Sequence, residues 1–93
     1  MDKYIERRRI SFSGRVQGVG FRYYAQYAAS DAGVTGWVRN EYDGTVTMEA
    51  QGSEAQLLLV LQSLQKGRYI RIEGIETKDI PLRDDERSFR VRY

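Results

Sequence analysis

The stretch GRVQGVGFR, Gly14 to Arg22, is where the chain changes period. Before it, RRRISFSG sets Ile10 and Phe12 between polar neighbours, the alternation of a strand with one buried face. After it, Phe21, Ala25, Ala28 and Ala32 recur at i, i+4, i+7 and i+11, one stripe of a helix. Gly33 stands where a left-handed residue closes such a helix. The nine residues are therefore a strand-to-helix turn. Gly14, Gly18 and Gly20 let its backbone take positive φ and approach a ligand closely. Arg22 falls in the first helical turn, where its charge opposes the helix dipole. That costs a few tenths to about 1 kcal/mol unless an anion neutralises it.

The rest of the pattern follows from this junction. Ala28, Ala29 and Ser30 are small, as a helix lying close on a sheet requires. VTGWVRN (Val34–Asn40) puts Val34, Gly36 and Val38 in one phase and Trp37 in the other. TVTMEAQ (Thr45–Gln51) alternates, with Val46, Met48 and Ala50 inward. The connection Asn40-Glu41-Tyr42-Asp43-Gly44 ends in Asp-Gly and makes the pair a hairpin. Ser53, with Gln56 three residues on, is a capping box for a helix whose apolar face is Leu57, Leu58, Val60, Leu61 and Leu64, ending at Gly67. YIRIEGIETK alternates at Ile70 and Ile72, then slips to Ile75 and Thr77, a phase change that a β-bulge at Gly74 absorbs. After Pro81 the chain closes with SFRVRY, Phe89, Val91 and Tyr93 in phase. The order β-α-β-β-α-β predicts an α+β, ferredoxin-like fold: one domain over 1–93, an antiparallel sheet with two helices on one face, and a short extra C-terminal strand.

Composition narrows the chemistry. At 41% hydrophobic and 30% charged residues the chain reads as an ordinary globule. It holds no Cys and no His. The usual ligands of zinc, every Ser–His or Cys–His nucleophile and the commonest general base are therefore missing. No metal or other cofactor is expected. No apolar run reaches the roughly 20 residues that span a bilayer, and MDKYIERRRI has no apolar signal segment. A cytoplasmic protein is expected, with no membrane partner. Net charge is +2, yet 12 of the 15 cations are Arg, whose planar fork suits phosphate and carboxylate. The clusters Arg7–Arg9 and Arg90/Arg92 read as solvated strand faces, and Asp84, Asp85 and Glu86 as a solvated loop.

The Gly-rich turn admits two readings. Amides curled at a helix N-terminus form an anion nest, to which Arg22 adds donors; equally, glycine turns are often structural. No Gly-Lys-Ser/Thr follows, and the dinucleotide glycine pattern is not met. Asn40 ahead of a hairpin loop is by itself a turn former. Gln17 reads as a brace as readily as a ligand contact, Trp37 as packing, and Tyr23, Tyr24 and Tyr27 as packing residues with wet hydroxyls.

Taken together, GRVQGVGFR and GWVRNEYDGTVTMEAQG resemble the two signature segments of the acylphosphatase family, and the likeness extends through AGVTGWVRN to the terminal RY. The resemblance implies hydrolysis of the mixed anhydride between a carboxylic acid and phosphate, without metal or covalent intermediate. By motif position, Arg22 matches the arginine that grips the phosphate and Asn40 the asparagine that positions the attacking water. The backbone amides of Gln17, Gly18, Val19, Gly20, Phe21 and Arg22 would cradle the phosphoryl oxygens. The expected partner is a small-molecule acyl phosphate, acted on by a monomer. An RNA-binding module on the same topology would carry stacking aromatics on its central strands; TVTMEAQ has none, and no nucleic-acid partner is expected. The alternative is a non-catalytic phosphate-binding regulatory domain. Because the chain stops just after its last strand, a free-standing enzyme is the expectation.

Overall fold

The structure is a computed structural model and describes residues 4–93. Strand β1 (Glu6–Arg15) leads into helix α1 (Phe21–Ala32). Strands β2 (Thr35–Asn40) and β3 (Val46–Gly52) form a hairpin. Helix α2 (Glu54–Gln65), β4 (Arg71–Ile80) and β5 (Phe89–Arg92) complete the chain. They build one five-stranded sheet in the order β4-β1-β3-β2-β5. The first four strands pair antiparallel, while β5 joins the β2 edge in parallel, with Val38 opposite Val91 and Arg39 opposite Arg92.

Each turn is set by local chemistry. Gly20 caps the N-terminus of α1 at φ 78° and Gly33 closes its C-terminus at φ 77°, both left-handed. The α2 capping box forms in full: Gln56 N–H donates to Ser53 Oγ at 3.1 Å and Ser53 N–H to Gln56 Oε1 at 2.8 Å, a motif worth about 1 kcal/mol. The register of β1 on β4 jumps between Ser13 and Gly14, from Gly74 to Ile72, so the bulge absorbs the phase change at Glu73–Gly74. Gly36 holds φ 147° on β2, and a Cβ there would run into the main chain of Glu49 on β3.

The core lies between the sheet and the two helices. Ile10, Phe12, Val38, Val46, Met48 and Phe89 meet Phe21, Ala25 and Ala29 of α1 and Leu57, Val60 and Leu64 of α2. The buried centre of α1 passes through Ala29, with Ala28 and Ala32 at its margin, so the apolar stripe is rotated slightly from Ala28. Phe12 and Phe21 meet as tilted rings, 4.9 Å between centroids and 58° between planes, and pin the start of α1 to β1.

The opposite face corrects two expectations. Arg7 is not solvated: it is only 2% exposed. Its guanidinium donates to Glu49 Oε1 at 3.0 Å and Gln51 Oε1 at 3.2 Å, and forks onto Glu86 at 2.8 and 3.1 Å. Glu86, read as part of a solvated acidic loop, instead ties the β4–β5 connection over the sheet. Trp37, also on this face, is 4% exposed between the guanidinium groups of Arg39 and Arg92, at 5.0 and 4.5 Å from its rings.

Candidate active site

The turn between β1 and α1 contains two left-handed glycines, Gly18 at φ 73° and Gly20 at φ 78°. These bends turn the chain onto the helix N-terminus, where the first amides have no carbonyl one turn back. The first helical bond is Tyr24 N–H to Gly20 O, at 3.0 Å. Among the described residues, no amide from Gln17 to Tyr23 donates to a carbonyl or a side chain. The first turn of α1 holds no acidic residue and Gly20 offers no side-chain cap. A row of free donors therefore sits at the positive end of the helix, an arrangement that receives an anion.

These donors open on a small pocket of about 110 Å³ lined by Val16, Gly18, Gly20, Phe21, Arg22, Tyr23 and Asn40. Val16 and Phe21 are buried and anchor its floor. Arg22 and Asn40, 18 positions apart in the chain, meet here because α1 begins and β2 ends at the same end of the sheet.

Arg22 is half-buried and held from behind. Its Nη1 donates to the main-chain carbonyl of Arg92 at 3.0 Å, and its guanidinium lies 4.8 Å from the centre of the Tyr93 ring. The Tyr93 hydroxyl meets that of Tyr23 at 2.7 Å, closing the C-terminus onto α1. The Tyr23 hydroxyl bond, and burial with it, push the Tyr93 phenol above its ordinary value against the opposing charge of Arg22. Carbonyl and ring together fix the guanidinium and leave its remaining donors for a ligand.

Asn40 is the last residue of β2, paired with Val46, and among the described residues none other than glycine has a positive φ. It is an extended residue at a strand end, so a left-handed turn is not what requires it. Among the described residues its side-chain amide makes no hydrogen bond. A polar amide facing a pocket without a protein partner is free to hold water or substrate.

Gln17 acts through its side chain as a brace. Its Nε2 donates to the carbonyls of Glu41 at 2.8 Å and Thr45 at 2.9 Å, stitching the Gly-rich loop to the hairpin that carries Asn40. Its backbone amide remains among the free donors. Glu41 carries a negative charge beside the pocket, but that charge is engaged: Arg39 Nη2 stands 3.1 Å from Glu41 Oε2. The Thr47 hydroxyl first, and the Arg39 guanidinium with it, hold the Glu41 carboxyl below the usual carboxylate range against the opposing effect of burial.

Sequence reasoning missed the contribution of the C-terminus. RY appeared only as part of a resemblance, and nothing in the local pattern shows that Arg92 O and Tyr93 support Arg22. Tyr23, Tyr24 and Tyr27 are between 39% and 72% exposed, and only Tyr23 contributes to the site.

With this geometry in place, three comparisons with known proteins agree. The family model described as Acylphosphatase matches residues 8–91. An acylphosphatase of Clostridium acetobutylicum is 48% identical over 90 residues, covering 96% of this chain and 99% of its own. A crystal structure of acylphosphatase from Bacillus subtilis superposes with a TM-score of 0.86 at 32% identity, over 97% of this chain and 100% of that one. A similar unit lies within the far longer HypF of T. kodakarensis (TM-score 0.80, 30% identity), covering 92% of this chain but 12% of that one. Within the described residues no helix is long and apolar enough to cross a membrane.

Proposed function

Since the chain belongs to the acylphosphatase family and is by that membership a hydrolase of acyl phosphates, we propose that it splits the carboxyl–phosphate anhydride by in-line attack of a water held by Asn40. In this reading the phosphoryl group sits in the 110 Å³ pocket. Its oxygens take the free amides of Gln17, Gly18, Val19, Gly20, Phe21 and Arg22 and the guanidinium of Arg22. The observation that carries the reading is the pocket on which Arg22, the unengaged Asn40 amide and a row of unpaired main-chain donors converge.

A phosphoryl transition state spreads its charge over the equatorial oxygens, so catalysis is positioning plus electrostatics. Fixed donors provide both, each worth about 2.7–4 kcal/mol by analogy with oxyanion holes. The leaving group is a carboxylate and needs no strong acid. The water oxygen bonds to phosphorus, and the bond from phosphorus to the acyl oxygen breaks. Its electron pair departs with the carboxylate. The amide of Asn40 orients the water but has no basicity, and no pocket-lining residue carries a carboxylate. The proton therefore passes to an oxygen of the substrate's own phosphate. In this reading the protein acts as a monomer in the cytoplasm on a small-molecule acyl phosphate, without nucleic acid or cofactor.

Hydrolysis of benzoyl phosphate in the presence of chelator, for wild type, Asn40→Ala and Arg22→Ala, tests this. Asn40→Ala is expected to lose about 10²–10³-fold in kcat while inorganic phosphate still inhibits as in the wild type. Arg22→Ala is expected to lose both turnover and phosphate inhibition. A wild type that binds phosphate and never turns over would instead make this a phosphate-binding regulatory domain. A rate that titrates with one carboxylate would overturn the assignment of the proton.

A further inference from the structure

The open face of the sheet, away from the catalytic pocket, holds a second concentration of donors. A cavity of about 260 Å³ lies between β2, β5 and the loop before β5, walled by Trp37, Arg83, Asp85, Arg87, Arg90 and Arg92. Its carboxylates are already engaged. Asp85 takes both Nε and Nη2 of Arg83, at 3.2 and 3.0 Å. Glu86, also in its wall, is forked by the buried Arg7 at 2.8 and 3.1 Å. Three guanidinium groups are left without a counter-charge among the described residues. Arg87 has no partner, Arg90 reaches only the Ser88 hydroxyl at 3.5 Å, and the Arg92 guanidinium lies over Trp37, 4.5 Å from the ring centre. An arginine stacked on an aromatic face keeps its in-plane N–H donors free for an anion.

Three like charges converging on one concavity repel one another, and an anion that enters relieves the repulsion. Arg90 and Arg92 leave the same face of one strand, about 7 Å apart along it, with Arg87 approaching from the loop. One phosphate accepts one fork well; three guanidinium groups around one cavity suit more than one phosphate. The volume is below the roughly 300 Å³ at which drug-sized sites begin, which suits a compact anion. We infer that this cavity is a second anion site, separate from the catalytic pocket, for a small molecule bearing adjacent phosphate groups.

Tripolyphosphate is the probe, titrated calorimetrically into the full chain. Arg22→Ala, which disables the catalytic pocket, is expected to keep a one-to-one isotherm. Adding Arg87→Ala and Arg90→Ala in that background is expected to weaken it at least about tenfold, or 1.4 kcal/mol. The Arg87→Ala/Arg90→Ala pair alone is expected to keep the wild-type kcat and KM for benzoyl phosphate, which shows that the fold survives. Loss of the isotherm with Arg22→Ala alone would place all binding in the catalytic loop and overturn the inference. So would unchanged affinity after Arg87 and Arg90 are replaced. Displacement of tripolyphosphate by a single-stranded oligonucleotide at lower concentration would also overturn it, in favour of a nucleic-acid surface.

Discussion

The guanidinium of Arg22 lies 4.8 Å from the centre of the Tyr93 ring, so the first turn of α1 is held by the last residue of the chain. The same guanidinium donates to the Arg92 carbonyl at 3.0 Å, and Tyr93 in turn meets Tyr23 at 2.7 Å. A cation in the first helical turn is unfavourable toward the dipole. The carbonyl and the ring offset part of that cost and fix the side chain before any anion arrives. Pre-positioned donors are what stabilise a phosphoryl transition state.

Tyr93 is accordingly a positioning residue. Tyr93→Ala removes a cation–π contact worth about 0.5–2 kcal/mol. It is expected to raise KM and the phosphate inhibition constant together by about fivefold, with little effect on thermal stability. Tyr93→Phe keeps the ring and is expected to stay within about twofold of wild type. Equal damage from both changes would assign the support to the Tyr23–Tyr93 hydroxyl contact instead.

Gln17 spans two loops, and its removal separates binding from turnover. Gln17→Ala strips one donor from two carbonyls, those of Glu41 and Thr45, and is expected to cost about 1–2 kcal/mol in urea unfolding. Asn40 sits at the base of that hairpin, so kcat is expected to fall more than the phosphate inhibition constant rises. Gln17→Glu sets a carboxylate against two carbonyl oxygens and is expected to be the worse of the two. An unchanged kcat in both variants would mean that the hairpin holds Asn40 unaided.

The glycines divide by what surrounds them. A Cβ at Gly36 would strike the main chain of Glu49, whereas at Gly18 and Gly20 it meets nothing within 4 Å. Gly36→Ala is therefore expected to abolish folding or cost well over about 3 kcal/mol, beyond the ordinary range for a point change. Gly18→Ala and Gly20→Ala carry only the left-handed penalty, about 1–2 kcal/mol. They are nevertheless expected to lose most activity, because the amides they align face the phosphate. Circular dichroism and benzoyl phosphate hydrolysis, run side by side, check both halves.

What the sequence showed was local. The strand-to-helix turn, the capping box and the slip at Gly74 each rest on residues a few positions apart, and each is present. The two-residue period also sorted the sheet faces correctly, since Ile10 and Phe12 are buried beneath the helices. It does not say whether a polar face is wet or covered. Arg7 reads the same either way, and the residue that buries it, Glu86, lies 79 positions on. The parallel attachment of β5 and the support of Arg22 by Arg92 and Tyr93 are long-range in the same sense. No spacing within a segment encodes them.

The buried Arg7 makes the last prediction, one of stability. Removing one partner of a buried ion pair strands the others, and with Glu49 and Glu86 still slightly exposed, Arg7→Met is expected to cost about 3 kcal/mol at neutral pH. Acid changes the comparison. Burial pushes the Glu86 carboxyl up, but its hydrogen bond and charge contact with Arg7, aided by Thr35, outweigh that and hold it below the ordinary range. A carboxyl depressed in the folded state contributes stability that is complete above its unfolded value, about 4.3, and is lost as pH falls through the folded one. Wild-type stability is therefore expected to be level above about pH 5 and to fall below about pH 4, with a shallower fall in Glu86→Gln. In Arg7→Met the Glu86 carboxylate loses the guanidinium that forks it, and protonation relieves it. The gap between wild type and Arg7→Met in urea unfolding is thus expected to narrow from pH 7 to about pH 3. A gap that stays constant across that range would show that Arg7 contributes packing rather than charge.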